Sequence, residues 1–149
     1  MREQFTNMMK EAMKAGDKRR LATVRMIQAA LKDKDIEARG SGKTVGDEDI
    51  LAMLQKMVKS RQESADIYAK AGRADLETQE RDEIAIINEF LPAQMSEDAV
   101  KDAIEAAVAE TGAAAMKDMG KVVGALKAKY AGQMDFAKAS ALVKARLGG

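Results

Sequence analysis

The 149-residue chain is long enough for one ordinary domain or two small ones, and its 46% of hydrophobic residues can build a core. It contains no cysteine and no histidine, which excludes disulfides, thiolate nucleophiles, and the commonest general base and metal ligand. The net charge of +1 suggests no partner, but basic residues gather at both ends: residues 1–34 carry nine Lys or Arg against four Asp or Glu, and residues 116–149 carry seven against two.

The first predicted elements are two helices, since the composition favours helix nearly everywhere and indicates an all-α fold. The first covers about 2–15 and ends at Gly16. The second begins after Asp17 as N-cap and runs to about Ala38. The apolar sides are Phe5, Met8, Met9 and Met13 in the first helix, and Val24, Ile27 and Leu31 in the second.

Two more helices are predicted before the single proline. Residues 39–46, with three glycines, predict an exposed loop. A third helix follows from Asp47 to about Ala71, and a fourth from about Asp75 to Leu91. The inward residues are Ile50, Leu54, Met57, Val58 and Tyr68 in the third and Leu76, Ile84, Ile87 and Leu91 in the fourth, while Glu77, Glu80 and Glu83 are predicted to point outward.

Pro92 predicts a boundary, because a proline and the residue before it both disfavour helix. We therefore expect a four-helix N-terminal domain at 1–92 and a small three-helix C-terminal domain at 96–149, with a hinge near 92–95. The three C-terminal helices are expected at about 97–110 with Ser96 as N-cap, at about 119–130, and at about 136–147 with Asp135 as N-cap. Their inward residues include Met119, Val122, Val123, Leu126, Tyr130, Phe136, Ala139, Val143 and Leu147.

Catalytic candidates are few. Glu80 and Glu83 lie three apart on one helix, as a carboxylate pair for acid–base work would. The favoured alternative is a solvated face with ion pairs to Arg81 and its neighbours. A di-iron bundle site needs histidine, which the chain lacks. Neither the Gly-x-x-x-x-Gly-Lys-Ser/Thr loop nor the Gly-x-Gly-x-x-Gly loop that binds nucleotides occurs. An all-carboxylate magnesium site remains as the least favoured option. We predict no catalysis by the chain alone and no cofactor.

The C-terminal basic segment is the main binding candidate. Lys117, Gly120, Lys121 and Gly124 combine lysines with two glycines near the start of a helix, where unpaired N–H groups and close approach favour a phosphate backbone. The alternative is that the glycines allow close helix packing and that the lysines are ordinary solvent-facing residues. The further residues of this candidate RNA-binding surface are Lys127, Lys129, Lys138, Lys144 and Arg146.

A secondary basic stripe lies at the N-terminal end: Lys14, Lys18, Arg25 and Lys32, with Arg19 and Arg20 beside it. Its alternative is a plain solvated face. The methionine-rich side of the first helix could dock on a membrane surface, but it is short and lacks an aromatic belt, so core packing is favoured.

The chain has only five aromatic residues, most of them on inward faces, so stacking of single-stranded bases is disfavoured. An RNA partner should be a folded one, such as tRNA, bound through phosphates and shape. We expect neither DNA nor a membrane as partner. With no signal peptide and no membrane span, a cytoplasmic location is predicted.

Five segments in order resemble the stand-alone members of the GatB/YqeY family: Met13–Ile27, Gln55–Ser64, Ala71–Leu76, Glu89–Ser96 and Met119–Gly124. The resemblance implies a helical domain followed by a smaller one. It also implies kinship with the tail of GatB, the subunit of the glutamine-dependent amidotransferase that converts mischarged tRNA. In that enzyme the tail contacts the tRNA body, and its Gly-x-Val element matches Gly120–Val122, while its final helix matches Leu142–Leu147 loosely.

The family's usual label is a carbon–nitrogen ligase with glutamine as amido-N-donor, and we interpret it as inherited from the larger relative, because the chain lacks the catalytic modules. Three hypotheses follow: a tRNA-binding accessory module, a protein-interaction adaptor that docks on an aminoacyl-tRNA synthetase or amidotransferase, and an amidotransferase enzyme. The first is favoured.

Overall fold

The computed structural model describes residues 1–148 and confirms an all-α fold, with seven α-helices and no strand in that range. A single 3₁₀ turn, Met116–Asp118, precedes the sixth helix. None of these helices is both long and apolar enough to cross a membrane. The helices are α1 Arg2–Ala15, α2 Lys18–Gly40, α3 Asp47–Lys70, α4 Ala74–Asn88, α5 Glu97–Thr111, α6 Met119–Tyr130 and α7 Phe136–Gly148.

Local capping chemistry sets most helix ends where the sequence predicts them. Gly16 ends α1 with φ at 67°, in the left-handed region that glycine adopts without strain. The Asp17 carboxylate accepts a hydrogen bond from the backbone N–H of Arg20 at 3.1 Å, and the Ser96 hydroxyl accepts one from that of Ala99. These predicted ends of α1, α2 and α5 are therefore confirmed.

The first compact unit, Met1–Pro92, contains α1 to α4 around one core. Phe5 and Phe90 meet edge to face with ring centroids 4.7 Å apart, which brings the end of the unit back to α1. The buried core residues are Phe5, Val24, Ile27, Leu31, Ile50, Met53, Leu54 and Ile87.

The second compact unit begins at Ala93 and contains α5, α6 and α7. Its core is built from alanine, larger aliphatic side chains and one methionine. The buried residues are Ala103, Ile104, Ala107, Val108, Val122, Leu126, Met134, Ala139 and Val143. That the two units fold as independent domains stays a prediction.

Three expectations about the first unit need correction. Met13 is 56% exposed, and Ala12, which is 2% exposed, takes the inward position at the end of α1. The predicted loop at 39–46 is shorter, because α2 continues to Gly40. Helix α4 ends at Asn88 rather than Leu91: the N–H groups of Phe90 and Leu91 donate to carbonyls three residues back, tightening the chain before Pro92.

Candidate nucleic-acid interface

The outer face of α6 carries the central part of the predicted RNA-binding surface. Val122 and Leu126 are buried, which turns Gly120, Lys121 and Gly124 to the outside. Residues on a helix are about 100° apart, so Gly124 lies near the middle of this face, between Lys121 and the exposed Lys127. Lys117, in the preceding 3₁₀ turn, is exposed as well. We call Lys117, Gly120, Lys121, Gly124 and Lys127 the α6 face.

The two glycines of the α6 face leave open space above the helix. A Cβ atom added at Gly120 or Gly124 would find no atom of the described structure within 4 Å. Neither residue has a positive φ, so the backbone does not require glycine. The alternative that these glycines allow close helix packing is therefore wrong. What the glycines provide is access to the backbone from outside.

Replacing Gly124 with alanine is expected to raise the free energy of unfolding by about 0.5–1 kcal/mol, because alanine restricts the unfolded chain and suits a helix interior. Urea unfolding followed by circular dichroism measures the change. Gly112→Ala is the matched control: Gly112 has φ at 65°, so that variant should lose stability instead. A Gly124→Ala variant less stable than the parent would mean that the fold itself needs this glycine.

The start of α6 differs from the simple helix N-terminus that the sequence suggests at Gly120. The 3₁₀ turn extends the helical run backwards, and the N–H of Met119 already donates to the carbonyl of Met116. The Asp118 carboxylate accepts from the N–H groups of Ala114 and Ala115, at 3.0 and 3.3 Å. Gly120 therefore follows an existing helical turn rather than opening the helix, and an anion site at its N–H group stays a prediction. Lysines and accessible backbone are what this face offers an anion.

Asp118 is the acidic group closest to the α6 face. Its pKa is lowered, first by the backbone hydrogen bond from Ala114 and further by that from Ala115 and by the charges of Lys121 and Lys117. Its Oδ1 lies 3.9 Å from the Lys121 Nζ, a weak contact on an exposed lysine. Asp118 therefore orders the turn before α6 through Oδ2, while its Oδ1 makes only this weak contact with Lys121.

The remaining predicted lysines and Arg146 do not share one surface. Lys144 on α7 lines a shallow depression with Met116 of the 3₁₀ turn. Lys138 lines a groove between α5 and α7. Arg146 donates from Nε to the Glu105 carboxylate at 2.6 Å. Lys129 lies about 140° around α6 from Gly124, with its Nζ 5.8 Å from the Tyr130 ring centroid.

The secondary basic stripe is divided in the same way. Lys14, Lys18, Arg25 and Lys32 are exposed. The two neighbouring arginines are engaged with α4 and its C-cap: Arg19 contacts Asp82 at 2.6 Å and Arg20 contacts Glu89 at 2.5 Å. Those two arginines therefore hold α2 against α4 rather than extending the stripe.

The carboxylate pair on α4 differs from its predicted solvated arrangement. Glu83 is buried and accepts hydrogen bonds from Arg61 Nε at 3.1 Å and from Gln79 Nε2 at 3.3 Å. Burial raises the pKa of Glu80, and repulsion by Glu83 raises it further, while Arg61 lowers it. The predicted ion pairing to Arg81 is wrong for Glu83, because Glu83 pairs with Arg61 on α3 instead.

The buried Arg61–Glu83 ion pair is a structural link between α3 and α4. The Arg61 guanidinium also donates to the carbonyl of Met57 and contacts the Met26 sulfur, so each of its partners comes from the same unit. Within residues 1–148 no group of three or more Asp, Glu, His or Cys side chains is placed to hold a metal ion.

Comparisons with known proteins match nearly the whole chain. The family described as Yqey-like protein matches residues 2–147. A curated relative, "Altered inheritance of mitochondria protein 41, mitochondrial" of Lachancea thermotolerans, is 32% identical over 83 residues, which are 56% of this chain and 43% of the relative. The matched segment therefore spans less than half the length of that relative.

Proposed function

Because the chain belongs to the Yqey-like protein family, which is related to the C-terminal tail of GatB, we propose that it is a non-catalytic accessory module that binds tRNA. The α6 face binds phosphates of the folded RNA, together with Lys144 of α7. The carbon–nitrogen ligase label belongs to the larger amidotransferase, and this chain contributes RNA binding only. The cytoplasm is its proposed location.

The glycines of the α6 face are the observation that carries this proposal. Glycine inside a helix costs about 1 kcal/mol relative to alanine, and the fold gains nothing from Gly124 in packing or backbone geometry. A bulky external partner gains directly from the missing side chains, since its surface can approach the helix backbone. Lysines on either side of the glycines favour a partner that carries negative charge, as an RNA backbone does.

Shape and phosphates, rather than base sequence, account for the proposed specificity. Each of the five aromatic residues is buried or half-buried, so the described chain offers no exposed ring on which an unpaired base could stack. Lysine binds phosphate as a point charge, which positions a protein on RNA without reading bases. A compact RNA is therefore the preferred ligand over a single strand.

A gel shift with a purified tRNA transcript at increasing salt tests the proposal. The three lysines of the α6 face and Lys144 would make four lysine–phosphate contacts. Four such contacts predict that the affinity for tRNA falls by roughly two orders of magnitude between 50 and 200 mM salt. A polyuridine strand of equal length is the control and should bind more weakly. Absent or salt-insensitive binding, or equal affinity for both RNAs, would contradict a tRNA-binding role.

A further inference from the structure

Helix α2 has a second, outward-facing line of residues that the RNA proposal does not use. Along the middle of α2, from Arg20 to Leu31, only Ala22, Arg25 and Ala29 are exposed, because the rest of the helix is at least half-buried. Extended to both sides, the line continues at alternating steps of four and three residues. Its members, all exposed, are Lys18, Ala22, Arg25, Ala29, Lys32 and Ile36, and we call them the α2 seam.

Steps of four and three residues average 3.5, which is the spacing of a seam between two helices in a coiled coil. Small or apolar side chains alternate with basic ones: Ala22, Ala29 and Ile36 recur every seven residues, as do Lys18, Arg25 and Lys32. Alanine allows another helix to approach closely, and Ile36, 57% exposed, leaves an apolar side chain uncovered at one end.

The basic residues of the α2 seam form no ion pair within the described chain, although Lys18 lines a depression with Asp82 and Glu83, and Lys32 lines one with Asp35. Residues 18–32 contain five basic residues and no acid. Arg19 and Arg20 have carboxylate partners on α4 and at its C-cap, but Lys18, Arg25 and Lys32 form no ion pair with a residue of 1–148. Lysine and arginine in the first turn also oppose the helix dipole.

We propose that the α2 seam docks an acidic amphipathic helix of another protein. Lys18, Arg25 and Lys32 lie about 10.5 Å apart along the helix axis, so they match a partner with acidic residues seven positions apart. Larger apolar side chains of the partner sit over Ala22 and Ala29 and against Ile36. Protein is favoured over RNA because phosphates make no use of an apolar position repeated every seven residues. The inference is independent of tRNA binding, since it concerns the first unit and different residues.

The test is a fluorescence-anisotropy titration of the full chain with two labelled 21-residue helical peptides. One peptide places glutamate and leucine at alternating steps of four and three, and the other has the same composition with that period broken. The periodic peptide should bind at least tenfold more tightly. Arg25→Glu should weaken its binding at least tenfold, and Ala29→Gln, which keeps the charge, should weaken it severalfold by blocking close approach.

Lys56→Glu, on an exposed position of α3, is the matched charge control and should change peptide binding little. Because Arg25 and Ala29 are exposed, the variants should keep the helical circular dichroism of the parent, which is measured alongside. Equal binding of both peptides, or an Arg25→Glu effect no larger than that of Lys56→Glu, would overturn the proposal. The proposal would also be overturned if Arg25→Glu and Ala29→Gln weakened tRNA binding and left peptide binding unchanged. That result would assign the α2 seam to RNA.

Discussion

Replacing Arg61 with methionine is expected to lower the free energy of unfolding by about 3 kcal/mol at pH 7. Arg61 and Glu83 form a 3.1 Å ion pair whose side chains are only 16% and 10% exposed. Without the guanidinium, the buried carboxylate keeps only Gln79 as a hydrogen-bond partner and cannot recover the hydration it loses on folding. Urea unfolding at pH 7, followed by circular dichroism, measures the loss.

Two further variants separate this pair from ordinary surface charge. Arg81→Met is the control, because Arg81 lies 3.5 Å from Asp66 with side chains 50% and 68% exposed, and its loss should cost at most about 1 kcal/mol. Combining Arg61→Met with Glu83→Leu should recover much of the loss, since no unpaired charge is left inside. A cost for Arg61→Met no greater than that of Arg81→Met would show that the carboxylate is solvated.

The helix ends could be predicted because their chemistry is local. The side chains of Asp17 and Ser96 each accept a hydrogen bond from the backbone N–H three residues ahead, and Gly16 adopts the left-handed backbone conformation that ends α1. None of these interactions depends on another helix, so a sequence window of a few residues contains all the information. The inward faces of α2 and α6 were predictable for the same reason, since apolar spacing alone places Val24 or Val122.

The Arg61–Glu83 pair could not be placed in the same way, because its members are 22 residues apart and meet only after α3 packs on α4. A weaker signal was nevertheless present. Glu83 lies four residues before the buried Ile87, and Arg61 lies seven after the buried Leu54, so both share the inward faces of their helices. Opposite charges on the inward faces of consecutive helices are a pattern that predicts a buried pair.

The candidate interface was predictable only in part. The position of Gly124 between Lys121 and Lys127 follows from helix geometry, but the surroundings of a side chain depend on neighbouring helices. The sequence places Arg146 on the basic surface but does not show its partner Glu105, which lies on α5, 41 residues away. The open space above Gly120 and Gly124 is likewise a tertiary property, because the same glycines could have served packing.

Reversing the charge of Lys121 and Lys144 together, Lys121→Glu with Lys144→Glu, is expected to nearly abolish tRNA binding, lowering the affinity by about a hundredfold or more. Two phosphate contacts are lost, and two carboxylates repel the RNA where the lysines attracted it. In the residual binding, the slope of log affinity against log salt should fall by about two, one for each contact removed. A salt-titrated gel shift gives both quantities.

The control for this variant changes the net charge equally elsewhere in the same unit. Lys101→Glu with Lys129→Glu reverses two exposed lysines, one on α5 and one about 140° around α6 from Gly124. Its effect on affinity should be at least tenfold smaller, because distant charges are screened over about 8 Å at physiological salt. If both double variants weaken binding equally, the lysines act through net charge alone and the α6 face is not the interface. An unequal result ties the affinity to the α6 face, where the fold leaves glycine backbone open between lysines.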